Sequence, residues 1–402
     1  MNILFLHNNC PAQFHRLAVQ LARDPNNNVY FLSRHQRADV KIPGVHHVSV
    51  ATTNQATQTK EPEQLVSAER FAQAMIMLSK KGFSPDIVYA HAGFGCGYYA
   101  PDVFPKAIQI SYFEWYYNNC ADTQFFAKDK KPTLATVMQN RRRNIATLQA
   151  LYDTKFGVCP TFWQYNQFPK EFFYKLHIIH DGVDTHFFAP VEGEKPNLNL
   201  KQLSLPSDCE IVTYAARGLE LYRGFPTFYK SLPYVLQERP KAHIVIIGDD
   251  RPVYGSLPSA GKTWKELLQS EIPLPAERVH FLPFQNYTNY RSILQSSDLH
   301  VYLTAPFVLS WSMLEAMSMG VTLVASNTEP VREVISNGVN GILTDFWDAE
   351  NLGKTIVQTL KDNKDLSEMR TQARNTILQN YALSKILPKH IALIKTAMES
   401  RD

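Results

Sequence analysis

Short apolar runs alternating with helical patterns constrain this chain more than any other feature. Asn2–Leu6 reads NILFL, a buried strand by length and composition. Phe14, Leu17, Ala18 and Leu21 then repeat at helical spacing, and Pro11 suits the first turn of that helix. Val29–Leu32, Asp86–Ala90 (DIVYA), Ala107–Tyr112 (AIQISY) and Lys155–Cys159 (KFGVC) continue the series, with helical stretches between them. Alternation of this kind predicts a parallel sheet covered by helices on both faces.

The pattern breaks over residues 189 to 210, APVEGEKPNLNLKQLSLPSDCE, which is proline-bearing and polar and reads as a linker. It then restarts with Ile211–Ala215, His243–Ile247, Val279–Leu282, Leu299–Leu303 and Thr322–Ala325 as strands, and with helices over Thr227–Gln237 and Tyr287–Gln295. The reading is two Rossmann-like, doubly wound α/β domains: residues 1–188, a linker over 189–209, and a second domain over 210–379. A chain of 402 residues suits two such domains. Ligands of these sheets bind at the carboxyl ends of the strands, and a cleft between two facing domains is the default site. Neither G-x-G-x-x-G in the first domain nor G-x-x-x-x-G-K-S/T anywhere is present, which argues against a dehydrogenase and a P-loop enzyme.

Composition narrows the class. Apolar residues make up 45% and charged residues 19%, a globular balance, and a net charge of +4 is too small for a nucleic-acid binder. The one dense basic spot is Arg141–Arg143 with Lys128, Lys130 and Lys131 nearby. It reads as a solvated helix face or as a contact for anionic lipid or a phosphorylated acceptor. Five scattered cysteines without a C-x-x-C pair point to a reducing compartment rather than a disulfide framework or a zinc site. MNILFLHNN lacks the marks of a signal peptide, and no apolar run approaches a membrane span. The expectation is a cytoplasmic protein, with room for peripheral contact at the inner face of a membrane. Asp249–Asp250 reads as turn chemistry rather than a metal site.

Several residues stand where strands end. In TAPFVLSWSMLEAMSMG, Ser310 or Ser312 caps a helix that Gly320 stops, and its N-terminus suits a phosphate. Glu315, about one turn inside, either accepts hydrogen bonds from a vicinal diol such as a ribose or serves the helix dipole. Arg217 and Arg223, in ARGLELYRGF, either hold a diphosphate or are surface arginines. His91 follows DIVYA at a glycine-rich turn, and Glu114 lies in the aromatic-rich SYFEWYY. The aromatics there either line an acceptor groove or pack at a domain edge.

In their order along the chain, DIVYAHAG, IIHDGVDTHFF (178–188), ARGLELYRGF, SMLEAMSMGVTLVAS and PVREVISNGVNGILTD (330–345) resemble glycosyltransferase family 4, a GT-B-type family of sugar-nucleotide enzymes. The resemblance implies that Arg217 and Arg223 hold the donor diphosphate and that Glu315 binds the nucleotide's ribose. It implies that His91 lies near the anomeric centre and that residues 380–402 form a helix returning to the first domain. A first acid, eight residues before the signature Glu, touches the transferred sugar in relatives; here that position is Phe307. A sugar with a less polar edge, or main-chain contacts from Val308, Leu309 and Ser310, would answer that change. The resemblance implies acceptor contacts at Ala12, Gln13 and Glu114, and the chain departs from the family there too, with HNNCPAQF in place of the glycine-rich loop common in relatives.

The implied chemistry is retaining, metal-independent transfer from a nucleotide diphosphate sugar, UDP- or GDP-linked, with no resident cofactor. The acceptor would be a glycan, a lipid-linked glycan or a protein. Two other readings stay open. A GT-B-type sugar-nucleotide epimerase would need no acceptor, and a sugar-nucleotide-binding subunit of a glycan-assembly complex would turn nothing over.

Overall fold

The computed structural model describes residues 1–400 except 38, 52–61, 128–130, 194, 259–260 and 363–364, so Lys128 and Lys130 of the basic spot lie outside the described residues. The chain divides into two compact units, Met1–Gly182 joined by the segment from Ser384 onward, and Val183–Leu383.

The first unit is a seven-stranded parallel sheet. Its strands are β1 (Asn2–Leu6), β2 (Asn28–Ser33), β3 (Val45–Ser49), β4 (Ile87–His91), β5 (Ile108–Tyr112), β6 (Phe156–Cys159) and β7 (Leu176–Ile178). They lie in the order β3-β2-β1-β4-β5-β6-β7, so the winding reverses between β1 and β4. Apolar side chains leave both faces. Ile3, Phe5, Val29 and Tyr89 pack on one side, and Leu4, Leu6, Leu32 and Val88 on the other. Unbroken apolar runs were the sequence sign of this two-sided burial. Helix α1 (His15–Ala22) starts four residues after Pro11, later than expected. Asn9–Cys10 pairs in parallel with His35–Gln36, which carries the chain onward in extended form before it can turn. Helix α2 (Leu134–Arg143) opens on Thr133, whose side chain accepts from the Thr136 amide, and it ends in the three arginines.

The second unit repeats the plan with six parallel strands. These are β8 (Glu210–Gly218), β9 (Ala242–Asp249), β10 (Val279–Leu282), β11 (Leu299–Tyr302), β12 (Thr322–Ser326) and β13 (Ile342–Thr344), ordered β10-β9-β8-β11-β12-β13. Its switch point lies between β8 and β11. Helix α3 (Trp311–Ser318) connects β11 to β12; Ser310 is its N-cap, and Gly320 follows with φ +67°. Edge strands β3, β7 and β13 did not show in the sequence, because VHHVS is polar and the other two have three residues each.

Residues 189–209, read as a linker, are part of the second unit instead. Asn199–Leu200 and Leu203–Ser204 form an antiparallel pair, and Leu198, Leu205 and Cys209 are buried in that unit's core. Single apolar residues spaced among polar ones carry this packing, which is why no period announced it. The last helix, α4 (Leu383–Glu399), packs Ile386, Leu393, Ile394 and Ala397 into the same cluster as Ile3 and Phe5. His390 on α4 fastens it: Nε2 donates to the His180 carbonyl at 3.2 Å, and Nδ1 accepts from the Tyr89 hydroxyl at 3.2 Å.

Candidate functional site

In the second unit the site is built around the switch point. β8 ends at Arg217 and Gly218, and a short turn over Leu221–Arg223 leads to Gly224. Gly224 has φ +63°, and a Cβ there would stand 2.6 Å from the Leu303 Cβ, so only glycine lets this turn press against the end of β11. Arg217 is exposed and makes no hydrogen bond or ion pair among the described residues. Arg223 differs: it is buried, and its Nη1 donates to Thr304 Oγ1 and to the Val308 carbonyl, each at 2.8 Å. Its Cζ lies 5.0 Å from the centre of the Tyr254 ring. Burial works against its charge, but Tyr302, Tyr254 and Glu220 outweigh that, and the guanidinium is held protonated. The pair is therefore one surface cation and one internal brace.

The segment after β11 carries the other expected donor groups. The Val308 carbonyl is taken by Arg223, and the Ser310 amide donates to the Tyr302 hydroxyl at 2.7 Å. Leu309 is buried in the unit's core. Of the main-chain groups of Val308, Leu309 and Ser310 expected to hold a sugar, that carbonyl and that amide thus already have partners within the unit. The Ser310 hydroxyl accepts from the Ser312 amide, and Ser312 Oγ donates to the Ala215 carbonyl at 3.4 Å. These contacts set the N-terminus of α3 beside the end of β8.

Glu315 lies in the second turn of α3 and is 7% exposed. Burial pushes its carboxyl up to about 7, and the Tyr290 hydroxyl opposes the rise. That hydroxyl faces the carboxylate outside regular hydrogen-bond geometry, and it is the one donor group that meets it among the described residues. Phe307 is also buried and meets Tyr222 and Tyr254 edge-on, with ring centres 5.1 Å apart in each case. It sits inside an aromatic cluster, which explains how an apolar residue is accommodated at that position.

The first unit gathers a second polar cluster at its own switch point. His91, the last residue of β4, is buried, and its Nε2 lies 3.3 Å from Glu114 Oε2. Gln13 Nε2 donates to Glu114 Oε1 at 2.9 Å. The expected residues His91, Gln13 and Glu114 therefore come together, although Gln13 and Glu114 are 101 residues apart. Ala12 holds φ +43°, a strained conformation for a residue with a Cβ, in the turn that delivers Gln13. The aromatics near Glu114 are not exposed: Phe113 and Trp115 are buried and Tyr116 and Tyr117 half-buried, with Phe113 and Tyr116 packed on Phe168 and Tyr117 under Arg143.

Three residues of these clusters went unseen in the sequence. His7 stands at the end of β1, its ring edge-on to His91 at 4.9 Å, and the strand-end rule that singled out His91 would have found it. Glu220 is fully buried and accepts hydrogen bonds from the amides of Val253, Tyr254 and Gly255. Tyr254 lies between Arg223 and Phe307. Neither Glu220 nor Tyr254 had a local signal, because their partners lie some thirty residues away.

Two doubly wound units, each with polar side chains gathered where the strand order reverses, define the GT-B class of fold. Residues 25–188 match the model of the glycosyl transferase family 4 group, and residues 197–376 match that of the glycosyl transferases group 1. The chain belongs to these glycosyltransferases. It is 28% identical over 244 residues to the N,N'-diacetylbacillosaminyl-diphospho-undecaprenol alpha-1,3-N-acetylgalactosaminyltransferase of Campylobacter jejuni, covering 58% of this chain and 59% of that one. It is 26% identical over 220 residues to the UDP-Gal:alpha-D-GlcNAc-diphosphoundecaprenol alpha-1,3-galactosyltransferase of Escherichia coli, covering 54% and 52%. The matched part thus spans little more than half the length of these curated relatives. Anabaena HepE, solved with UDP-glucose, superposes with a TM-score of 0.72 at 17% identity over 98% of this chain and 100% of that chain, a likeness of fold.

Proposed function

We propose that this chain transfers a sugar from a nucleotide diphosphate sugar, UDP- or GDP-linked, to a glycan acceptor, with retention at the anomeric carbon and without a metal ion. The observation that carries the reading is Glu315, a buried carboxylate raised to about 7 and faced by the Tyr290 hydroxyl alone, next to a helix N-terminus at a switch point. A ribose diol would bring two further hydroxyls to such a carboxylate. Arg217 is free to meet the diphosphate, while Arg223 adds a fixed charge from behind. As the bond from C1 to the diphosphate oxygen breaks, these groups and the α3 N-terminus oppose the growing negative charge. The acceptor oxygen bonds to C1 on the same face, and its proton passes to the departing diphosphate. His91 serves near the sugar, and Gln13, Glu114 and the Ala12 turn serve the acceptor.

The acceptor we favour is a lipid-linked glycan, because the two relatives named above carry diphospho-undecaprenol acceptors in their names. On α2, Leu134 and Met138 are 74% and 54% exposed, one turn apart, and Arg141 and Arg142 are exposed after them. Apolar side chains beside cations suit an anionic bilayer surface. No helix among the described residues is long and apolar enough to cross a membrane.

Incubation with labelled UDP- and GDP-sugars, with and without a polyprenyl-diphosphate-linked sugar and with excess chelator, tests the reading. The expected product is acceptor-dependent, retains the donor's anomeric configuration and forms in chelator. A new sugar nucleotide formed from donor alone would mean an epimerase, and nucleotide binding without any product would mean a binding subunit. Phe307→Glu tests sugar choice in the same assay: a switched or broadened preference assigns that role to position 307, and an unchanged one removes it.

A further inference from the structure

Glu220 takes no part in the function proposed so far, yet it is the most completely buried acid near the donor site, at 0% exposure. Its carboxylate accepts from three successive amides: Val253 to Oε1 at 3.2 Å, Tyr254 to both oxygens at 3.2 and 3.1 Å, and Gly255 to Oε2 at 2.6 Å. Its main-chain carbonyl accepts from the Arg223 and Phe225 amides, each at 3.2 Å. One residue therefore ties the turn after β8 to the loop after β9.

In that loop Val253 is exposed and Tyr254 half-buried. Three consecutive N–H groups wrapped round an anion form a nest, a preorganised anion site that is occupied here from within. Its occupation has one outward consequence. It holds the Tyr254 ring 5.0 Å from the Arg223 guanidinium and edge-on to Phe307. Arg223 in turn holds Thr304 and Val308, the segment that leads to α3.

We propose that Glu220 is a positioning residue of the donor site, acting through the Val253–Gly255 loop and Tyr254 to place Arg223 and the segment before α3. The inference rests on the donor-site reading above. Glu220→Gln leaves one acceptor oxygen and turns an amide NH2 towards N–H groups that also donate, so the loop loses its anchor. Affinity for the nucleoside diphosphate should then fall roughly 2- to 30-fold, the usual scale for a residue acting at one remove.

The test is a double-mutant cycle on binding of UDP and GDP, each titrated by calorimetry into wild type, Glu220→Gln, Tyr254→Leu and the double variant. If Glu220 acts through Tyr254, each single variant weakens binding and the double variant is little worse than either alone. Losses that multiply in the double variant, or unchanged affinity in Glu220→Gln, overturn the proposal. Should Glu220→Gln fail to fold, Gly255→Ala perturbs the same clamp with Glu220 in place, since its Cβ would stand 3.1 Å from Glu220 Oε2 and 3.2 Å from the Tyr222 ring. Unchanged affinity in that variant likewise overturns it. Wild type that binds neither nucleotide brings down the donor-site reading itself, whereas binding with a multiplicative cycle removes only the role of Glu220.

Discussion

Glu315 is buried with its carboxyl raised to about 7, so the fold prefers it protonated and a diol prefers it ionised. The sign follows. Its folded value lies above the unfolded one, so its contribution to stability is complete below the unfolded value of about 4.5 and is lost as pH rises through about 7. Glu315→Gln should be the more stable protein at pH 8, by about 1–3 kcal/mol, as followed by urea denaturation. The same variant should bind nucleotide roughly 10- to 100-fold more weakly at that pH, because it loses hydrogen bonds to a charged group. Wild-type affinity should rise with pH up to about 7 and then level off, with proton release on binding, and the variant should show neither. Glu315 was legible because a lone acid in an apolar run asks for a reason. Glu220 was not, because its partners Val253, Tyr254 and Gly255 lie 33 to 35 residues further on, and only the sheet brings them together.

At the scale of elements, the buried strands were legible to within two or three residues, since burial on both faces writes a continuous apolar run. Val279–Leu282 and Tyr287–Gln295 fall where expected to the residue. Elements whose burial is partial left no such trace, among them β3 and the pair at residues 199–204. Helix α4 is a different case. Its apolar face is plain in the sequence, but only the family resemblance, not the pattern of residues, pointed to the first unit. Besides the apolar contacts, each worth about 1.5–3 kcal/mol for a buried Ile or Leu, His390 bridges the His180 carbonyl and the Tyr89 hydroxyl. His390→Leu orphans both groups and should cost about 1–3 kcal/mol, read as a lower urea midpoint. An unchanged midpoint would mean that the two groups find water instead. On α2, Arg141→Glu with Arg142→Glu should abolish flotation with anionic liposomes while leaving nucleotide binding intact. Equal flotation of variant and wild type would remove the membrane contact.

For the whole molecule, three buried histidines set the acid limit. Burial lowers His180 to about 4, lowers His300 to about 3, and holds His390 below its usual 6.5. The unfolded chain takes up protons on them near 6.5 and the folded chain does not, so their stability contribution is complete above 6.5. It is lost as pH falls, at about 1.4 kcal/mol per pH unit for each group in transition. Glu315 runs the other way between about 7 and 4.5, but one acid against three histidines leaves a net loss. Thermal midpoints measured from pH 7 down to pH 5 should therefore decline, and less steeply in His300→Gln. The central claim is that the second unit holds a nucleotide diphosphate sugar through Glu315. Its most direct test is a thermal-shift panel of UDP, GDP, ADP and CMP with their sugar conjugates, on wild type and Glu315→Ala. A ligand at about 100 times its dissociation constant should add about 2.7 kcal/mol. The account predicts a shift selective for one base that disappears in the variant; no shift with any nucleotide, or an equal shift in the variant, would contradict it.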